Sequence, residues 1–250
     1  VTVSGGSVGS SVYGGKAGVG NATNNTVTIA GTGTVGQHVY GGGSTGGDAI
    51  NNTVNLGDGT SNAVGTITGT IFGGRTSSAK DQTTGNTLNV NANAQAGNIE
   101  NFSTINFNFS THTDTNQSLL TLTDTNKTKL DSLSQLYVKN AKVGKGTLMW
   151  NSNGIEVTDS TKVGRTEETT ETIIEKNSNN KAINYRTYQF KGSTTTDFEG
   201  TNIWGGRSTL GNTTTGNKVT VSGNHSGKYA YGGWTSGTGS TATGADAKNH

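Results

Sequence analysis

The sequence predicts an all-β protein: a right-handed parallel β-helix (β-solenoid) with an inserted, mainly antiparallel β subdomain or hairpin arm. Three observations predict it. An aromatic residue, two glycines, a polar loop, an asparagine and a short β-branched run recur at "VYGGKAGVGNATNNTVTIA" (12–30), "HVYGGGSTGGDAINNTVNL" (38–56), "IFGGRTSSAKDQTTGNTLNV" (71–90) and "IWGGRSTLGNTTTGNKVTV" (203–221). Only 28% of the 250 residues are hydrophobic and 40 are glycine, yet the formal net charge is +2. Low hydrophobicity without charge repulsion, joined to repetition, describes a thin core added rung by rung rather than a disordered chain. Proline is absent, so no strand residue lacks a donor for the ladder.

The first strand type is "VTV" (1–3), "TVTI" (26–29), "TVNL" (53–56), "TLNV" (87–90) and "KVTV" (218–221), at steps of 26, 27 and 34 residues over its first four copies. Alternation with period two points Val27 and Ile29, Val54 and Leu56, Leu88 and Val90, and Val219 and Val221 inward. The second type ends in "SVYGG" (11–15), "HVYGG" (38–42), "TIFGG" (70–74), "NIWGG" (202–206) and "YAYGG" (229–233). In it Val35 and Val39, then Ile67 and Ile71, face the core. Stacked rungs place like residues on like, which accounts for Asn25, Asn52, Asn86 and Asn217: an amide bonds to the next amide, and Asn tolerates the left-handed region. The paired glycines are expected to supply a tight bend at positive φ.

Tyr13, Tyr40, Phe72, Trp204 and Tyr231 then fall in one column, with two readings. The favoured one is a structural stack closing a corner of the coil, since Phe and Trp substitute freely there; the other is an exposed aromatic stripe for sugar rings. Strand parity turns the rings outward, and a bend at Gly-Gly would turn them in.

From 110 to 200 the repeat disappears, and Leu, aromatic and charged residues become denser. "NIENFSTINFNF" (98–109), with Ile105, Phe107 and Phe109 inward, reads as a final rung. "TETIIEKNSNNKAINYRTYQF" (170–190) reads as a hairpin around the loop 176–181. The expected organisation is solenoid repeats over 1–109, an inserted subdomain over 110–200, and solenoid again over 201–250.

Other motifs fit ordinary structure better than chemistry. "GTGTVG" (31–36) matches a dinucleotide-binding pattern but leads into a strand, where that site needs a helix. Asp48 sits in a Gly-rich loop without the nine-residue recurrence of calcium-binding repeats. Asp114/Asn116 and Asp124/Asn126 lack the rest of an EF-hand loop and read as turns. His38, His112, His225 and His250 occupy unrelated repeat positions. Glu167, Glu168, Glu171 and Glu175 read as a solvated face, and no Ser-His-Asp set stands out by spacing. Asn55, Asn89 and Lys218 break the outer threonine row that an ice-binding face would need. No metal, cofactor or catalytic set is therefore expected, and the chain reads as non-enzymatic. A near-neutral charge gives no case for nucleic acid, and no apolar run is long enough to span a bilayer as a helix. Cysteine is absent, which leaves no disulfide framework or thiolate zinc site.

The "VYGG…NTVTI" repeats, "NIENFSTINF" and "LLTLT" (119–123) together resemble the passenger domains of large type V autotransporter adhesins of Gram-negative bacteria. The resemblance implies a β-helical stalk on the cell surface, outside the outer membrane, with membrane contact only through a C-terminal barrel beyond this sequence. It implies adhesion to a cell-surface protein or glycan receptor, and it carries over no catalytic residues. The sequence starts and stops inside repeats, as a piece of a longer protein would. The alternatives are a β-helical carbohydrate-active enzyme of the polysaccharide-lyase kind, which would need charges clustered in one groove, and a purely structural spacer.

Overall fold

A computed structural model describes residues 1–110, 117–130, 134–140, 144–157, 162–163, 170–176 and 179–189, and the backbone of eight short strands between 202 and 249. Among the described residues every regular element is a strand, and most strands pair in parallel. The architecture is of the β-solenoid kind, and each rung contributes to three faces. One rung runs through Thr26–Ile29, Thr34–Val35 and Val39–Ser44, and a later one through Thr87–Val90, Ala94–Ala96 and Ile99–Glu100.

The first face is a seven-stranded parallel sheet: Thr2–Val3, Thr26–Ile29, Thr53–Leu56, Thr87–Val90, Thr104–Asn108, Gln135–Lys139 and Lys162–Val163. Its register aligns Val27, Val54, Leu88, Ile105 and Leu136, and beside them Ile29, Leu56, Val90, Phe107 and Val138. These ten side chains are at most 1% exposed and belong to one continuous hydrophobic cluster. The inward assignments of the first three rungs, and of Val35, Val39, Ile67 and Ile71, are thus borne out. Val219 lies outside the described residues.

The asparagine ladder forms as expected. Asn25 Nδ2 donates to Asn52 Oδ1 at 2.9 Å, and Asn52 Nδ2 to Asn86 Oδ1 at 3.2 Å. The left-handed residues are not these but their predecessors Asn24, Asn51 and Gly85, with φ of 58°, 56° and 69°. That turn aims the next residue's amide into the coil.

The paired glycines correct the sequence reading. Those of the first three copies lie inside extended strands, Val12–Ala17, Val39–Ser44 and Ile71–Thr76, and none of these six has positive φ. Their cause is contact: a Cβ on Gly14, Gly41 or Gly73 would strike the carbonyl oxygen of Gly41, Gly73 or Asn101 on the next rung. A Cβ on Gly15 would strike Asn25 Oδ1, and one on Gly42 would lie 2.6 Å from Asn52 Nδ2. Glycine floors the groove in which the asparagine ladder lies.

The expectation of a mainly antiparallel subdomain over 110–200 is also corrected. Parallel pairing continues well past residue 110: Ala94–Ala96 with Leu120–Leu122, that strand with Gly144–Asn151, and Thr128–Leu130 with Ile155–Val157. "NIENFSTINFNF" is a rung but not the last, because Gln135–Lys139 and then Lys162–Val163 stack beyond it. A second polar spine supports these rungs. Thr128 Oγ1 donates to Asn98 Oδ1 at 2.7 Å, and Asn151 Nδ2 to Thr128 Oγ1 at 2.9 Å, all three buried.

Among the described residues antiparallel pairing enters only with the hairpin Thr170–Lys176 and Ala182–Gln189, whose second strand also pairs antiparallel with Gly144–Asn151. Two reversals restore the original strand sense. Thr170–Lys176 accordingly meets Arg207–Ser208 in parallel, and Trp234–Thr235 follows in parallel.

Candidate functional site

The first three members of the predicted aromatic column form an ordered stack at one corner of the coil. Parallel register sets Tyr13 beside Tyr40, Tyr40 beside Phe72, and Phe72 beside Glu100. The rings stack: Tyr13 and Tyr40 have centroids 4.4 Å apart at 12°, and Tyr40 and Phe72 5.1 Å apart at 6°. Tyr13 and Tyr40 are half-buried and Phe72 is buried. Trp204 and Tyr231 are also register partners, on strands Asn202–Trp204 and Tyr229–Tyr231. Their side chains lie outside the described residues.

Each end ring of the triplet carries a cation over its face. Lys16 Nζ lies 5.0 Å from the Tyr13 centroid and Arg75 Cζ 4.6 Å from that of Phe72. The quadrupole of an aromatic face attracts such a cation. The ring faces are therefore engaged with one another and with these cations. The stacking agrees with the reading of a column that closes a corner of the coil.

Burial raises the pKa of Tyr40, and the neighbouring Tyr13 raises it further. Glu100 is exposed as a residue, but its carboxyl is desolvated enough by the surrounding protein to titrate above the usual range, with Arg75 acting in the opposite sense. Arg75→Ala removes the ring contact and that counter-charge. It is expected to cost about 0.5–1 kcal/mol of stability, the scale of an exposed cation–π pair, measured by urea unfolding.

Other predicted positions serve the frame. "GTGTVG" leads into strand Thr34–Val35, paired with Ser7–Val8. Asp124 Oδ1 accepts the Asn126 amide at 2.9 Å, an ordinary turn. Asp48 belongs to a column of side chains that cap successive rungs. Asn21 Oδ1 accepts the Asp48 amide at 2.9 Å, and Asp48 Oδ1 accepts the Asp81 amide at 3.1 Å. Each side chain caps the next rung, and unequal loop lengths conceal the column in the sequence. Hydrogen bonds from Thr84 and Thr83 hold the Asp81 carboxyl below its ordinary pKa. No group of three or more metal-ligating side chains occurs among the described residues. His112, His225, His250, Asp114, Asn116, Glu167 and Glu168 lie outside them, as do the side chains of Glu171 and Glu175.

His38 is the residue that sequence spacing undervalued. Its ring lies 5.9 Å from Tyr40 and 5.6 Å from Phe72, centroid to centroid, and its Nδ1 accepts the Thr70 amide at 3.0 Å. The signal was its place immediately before the core valine of "HVYGG".

Comparison of the chain with protein-family models, with curated proteins and with solved structures finds no match in any of the three.

Proposed function

We propose that this chain is part of a surface-displayed autotransporter passenger, a right-handed β-helix acting as a rigid stalk and binding module for a protein or glycan on another cell's surface. The observation that carries the reading is register. The first face keeps like residues in file through seven strands, while amide and aromatic ladders follow the same axis. A coil in which every rung is fixed by its neighbours resists bending, as a stalk must. The sequence resemblance to type V adhesins supplies the setting: Gram-negative export and display outside the outer membrane. The accessible rim of the aromatic corner, with Lys16, Arg75 and Glu100, and the long polar loops such as 77–86 supply contact surface.

The test is binding of fluorescently labelled chain to epithelial cells, to bacterial cells and to a glycan array. Saturable binding to a cell or glycan is the expected result. Binding to none of these points to a spacer, and reproducible turnover of a polysaccharide panel would replace the adhesin reading with the lyase-like one.

A further inference from the structure

We propose that His38 is a proton-sensitive latch between successive rungs of the coil. Register aligns Ser11, His38 and Thr70, each one residue before the partners Val12, Val39 and Ile71. At this corner a side chain on one rung accepts the backbone amide of the next. Ser11 Oγ accepts the His38 amide at 3.3 Å, and His38 Nδ1 accepts the Thr70 amide at 3.0 Å. The neighbouring amides use carbonyl oxygens: Gly69 donates to Gln37 O at 2.9 Å and Ile71 to Asn98 O at 2.8 Å. Thr70 is 7% exposed, so an amide released there does not simply turn to water.

A serine hydroxyl keeps its lone pairs across the physiological pH range, and an imidazole does not. The Thr70 bond requires a lone pair on Nδ1, with the ring proton on Nε2. Adding a proton to Nδ1 replaces the acceptor with a second donor facing the Thr70 N–H. Protonation and the rung-to-rung bond are mutually exclusive.

A Cβ on Gly69 would lie 2.7 Å from both Gln37 O and His38 Nδ1, so glycine there lets the backbone and the imidazole of the preceding rung approach together. The charged groups around the corner include Lys16 and Glu100, the latter interacting with His38, Arg75 and Asp124, with the phenols of Tyr13 and Tyr40 beside them. Glu100 and Arg75 act on an imidazolium in opposite senses. Acidification therefore loosens the start of strand Ile71–Thr76, which carries Phe72 and Arg75 of the aromatic corner. The inference concerns the coil itself and holds whatever the surface binds.

The experiment is amide hydrogen exchange by NMR on the whole chain, corrected for intrinsic rates. It compares about pH 7.5 with about pH 5, a range in which histidine is the side chain that ordinarily changes charge. Thr70 protection is expected to fall about tenfold or more across that window. The His38 amide, held by Ser11, reports in the same sample and should stay level. In His38→Asn the Oδ1 takes the place of Nδ1 and accepts at every pH, so Thr70 protection should become level too. Level protection at Thr70 in the natural chain, or an equal fall in His38→Asn, overturns the proposal.

Discussion

Gly74→Ala is expected to destabilise the coil by about 4 kcal/mol, far beyond the usual penalty for adding one methyl group. A Cβ at Gly74 would collide with Ala49 O, and would lie 2.7 Å from Gln82 O and 2.8 Å from Asn86 Nδ2. These atoms already form one cluster, since Asn86 Nδ2 donates to Gln82 O at 2.7 Å and to Ala49 O at 3.0 Å. The methyl group cannot be accommodated by a rotamer change, because two of its three neighbours are backbone. Either the rung separates or Asn86 leaves the carbonyls it satisfies, and a buried amide without partners costs about 1–3 kcal/mol in addition to the strain. Gly18→Ala is the control. Its Cβ would meet nothing within 4 Å, so its effect should stay within about 0.5 kcal/mol. Urea unfolding of both variants decides the matter. Equal midpoints would mean that close approach is not why glycine follows each aromatic.

The contrast also explains what the sequence could and could not disclose. Alternation in "TVTI", "TVNL" and "TLNV" is a local signal, and the burial of Val27, Val54 and Leu88 follows from it directly. The amide ladder was legible because Asn25, Asn52 and Asn86 precede those strands at a constant offset. The reason for Gly-Gly was not legible, because it depends on the Asn ladder lying across the glycines from another part of the rung. A positive-φ bend and a contact floor demand the same residue, and only coordinates separate them.

The continuing coil beyond residue 110 was hidden by a phase slip. The step from Thr87 to its register partner Thr104 is 17 residues, while the preceding step, Thr53 to Thr87, is 34. Past the slip the corner chemistry changes as well. Phe102 comes within 2.9 Å of a Cβ placed on Gly73, closing the first ladder, and the Asn98–Thr128–Asn151 spine takes over. A repeat search keyed to aromatic-Gly-Gly and asparagine loses the thread there, although the aliphatic files Leu88–Ile105–Leu136 and Val90–Phe107–Val138 run on. The stacked corner was legible as a column, whereas its cations and His38 were not, because Lys16 and Arg75 face each other across a rung in which Gly43 takes their place.

Asn52→Ala is expected to cost about 3–5 kcal/mol, the sum of a few unpaired buried groups. Asn52 Oδ1 accepts from the Asn25 amide at 3.0 Å and from Asn25 Nδ2 at 2.9 Å. Its Nδ2 donates to Ala22 O at 3.0 Å and to Asn86 Oδ1 at 3.2 Å. The residue is fully buried and Asn25 half-buried, so truncation strips Ala22 O and the two Asn25 donors of their partner and opens a void above Gly41 and Gly42, while Asn86 Oδ1 keeps the backbone amide of residue 52 at 2.8 Å. Asn89→Ala, which cuts the half-buried outer ladder between Asn55 and Asn106, should cost under about 1 kcal/mol because water replaces the lost partners. A stronger test joins ladder to floor. A methyl group on Gly42 would occupy the space beside Asn52 Nδ2, so removing that amide should relieve part of its clash. Gly42→Ala is then expected to cost about 1–3 kcal/mol less in the Asn52→Ala background than in the natural chain, an interaction energy typical of residues in contact. The remaining cost belongs to Ala22 O, 2.7 Å from the same Cβ, which the second substitution does not move. Simple additivity of the two effects would show that glycine and asparagine are selected separately. Coupling would show them to be two halves of one device that lets a polar chain stack without a thick core.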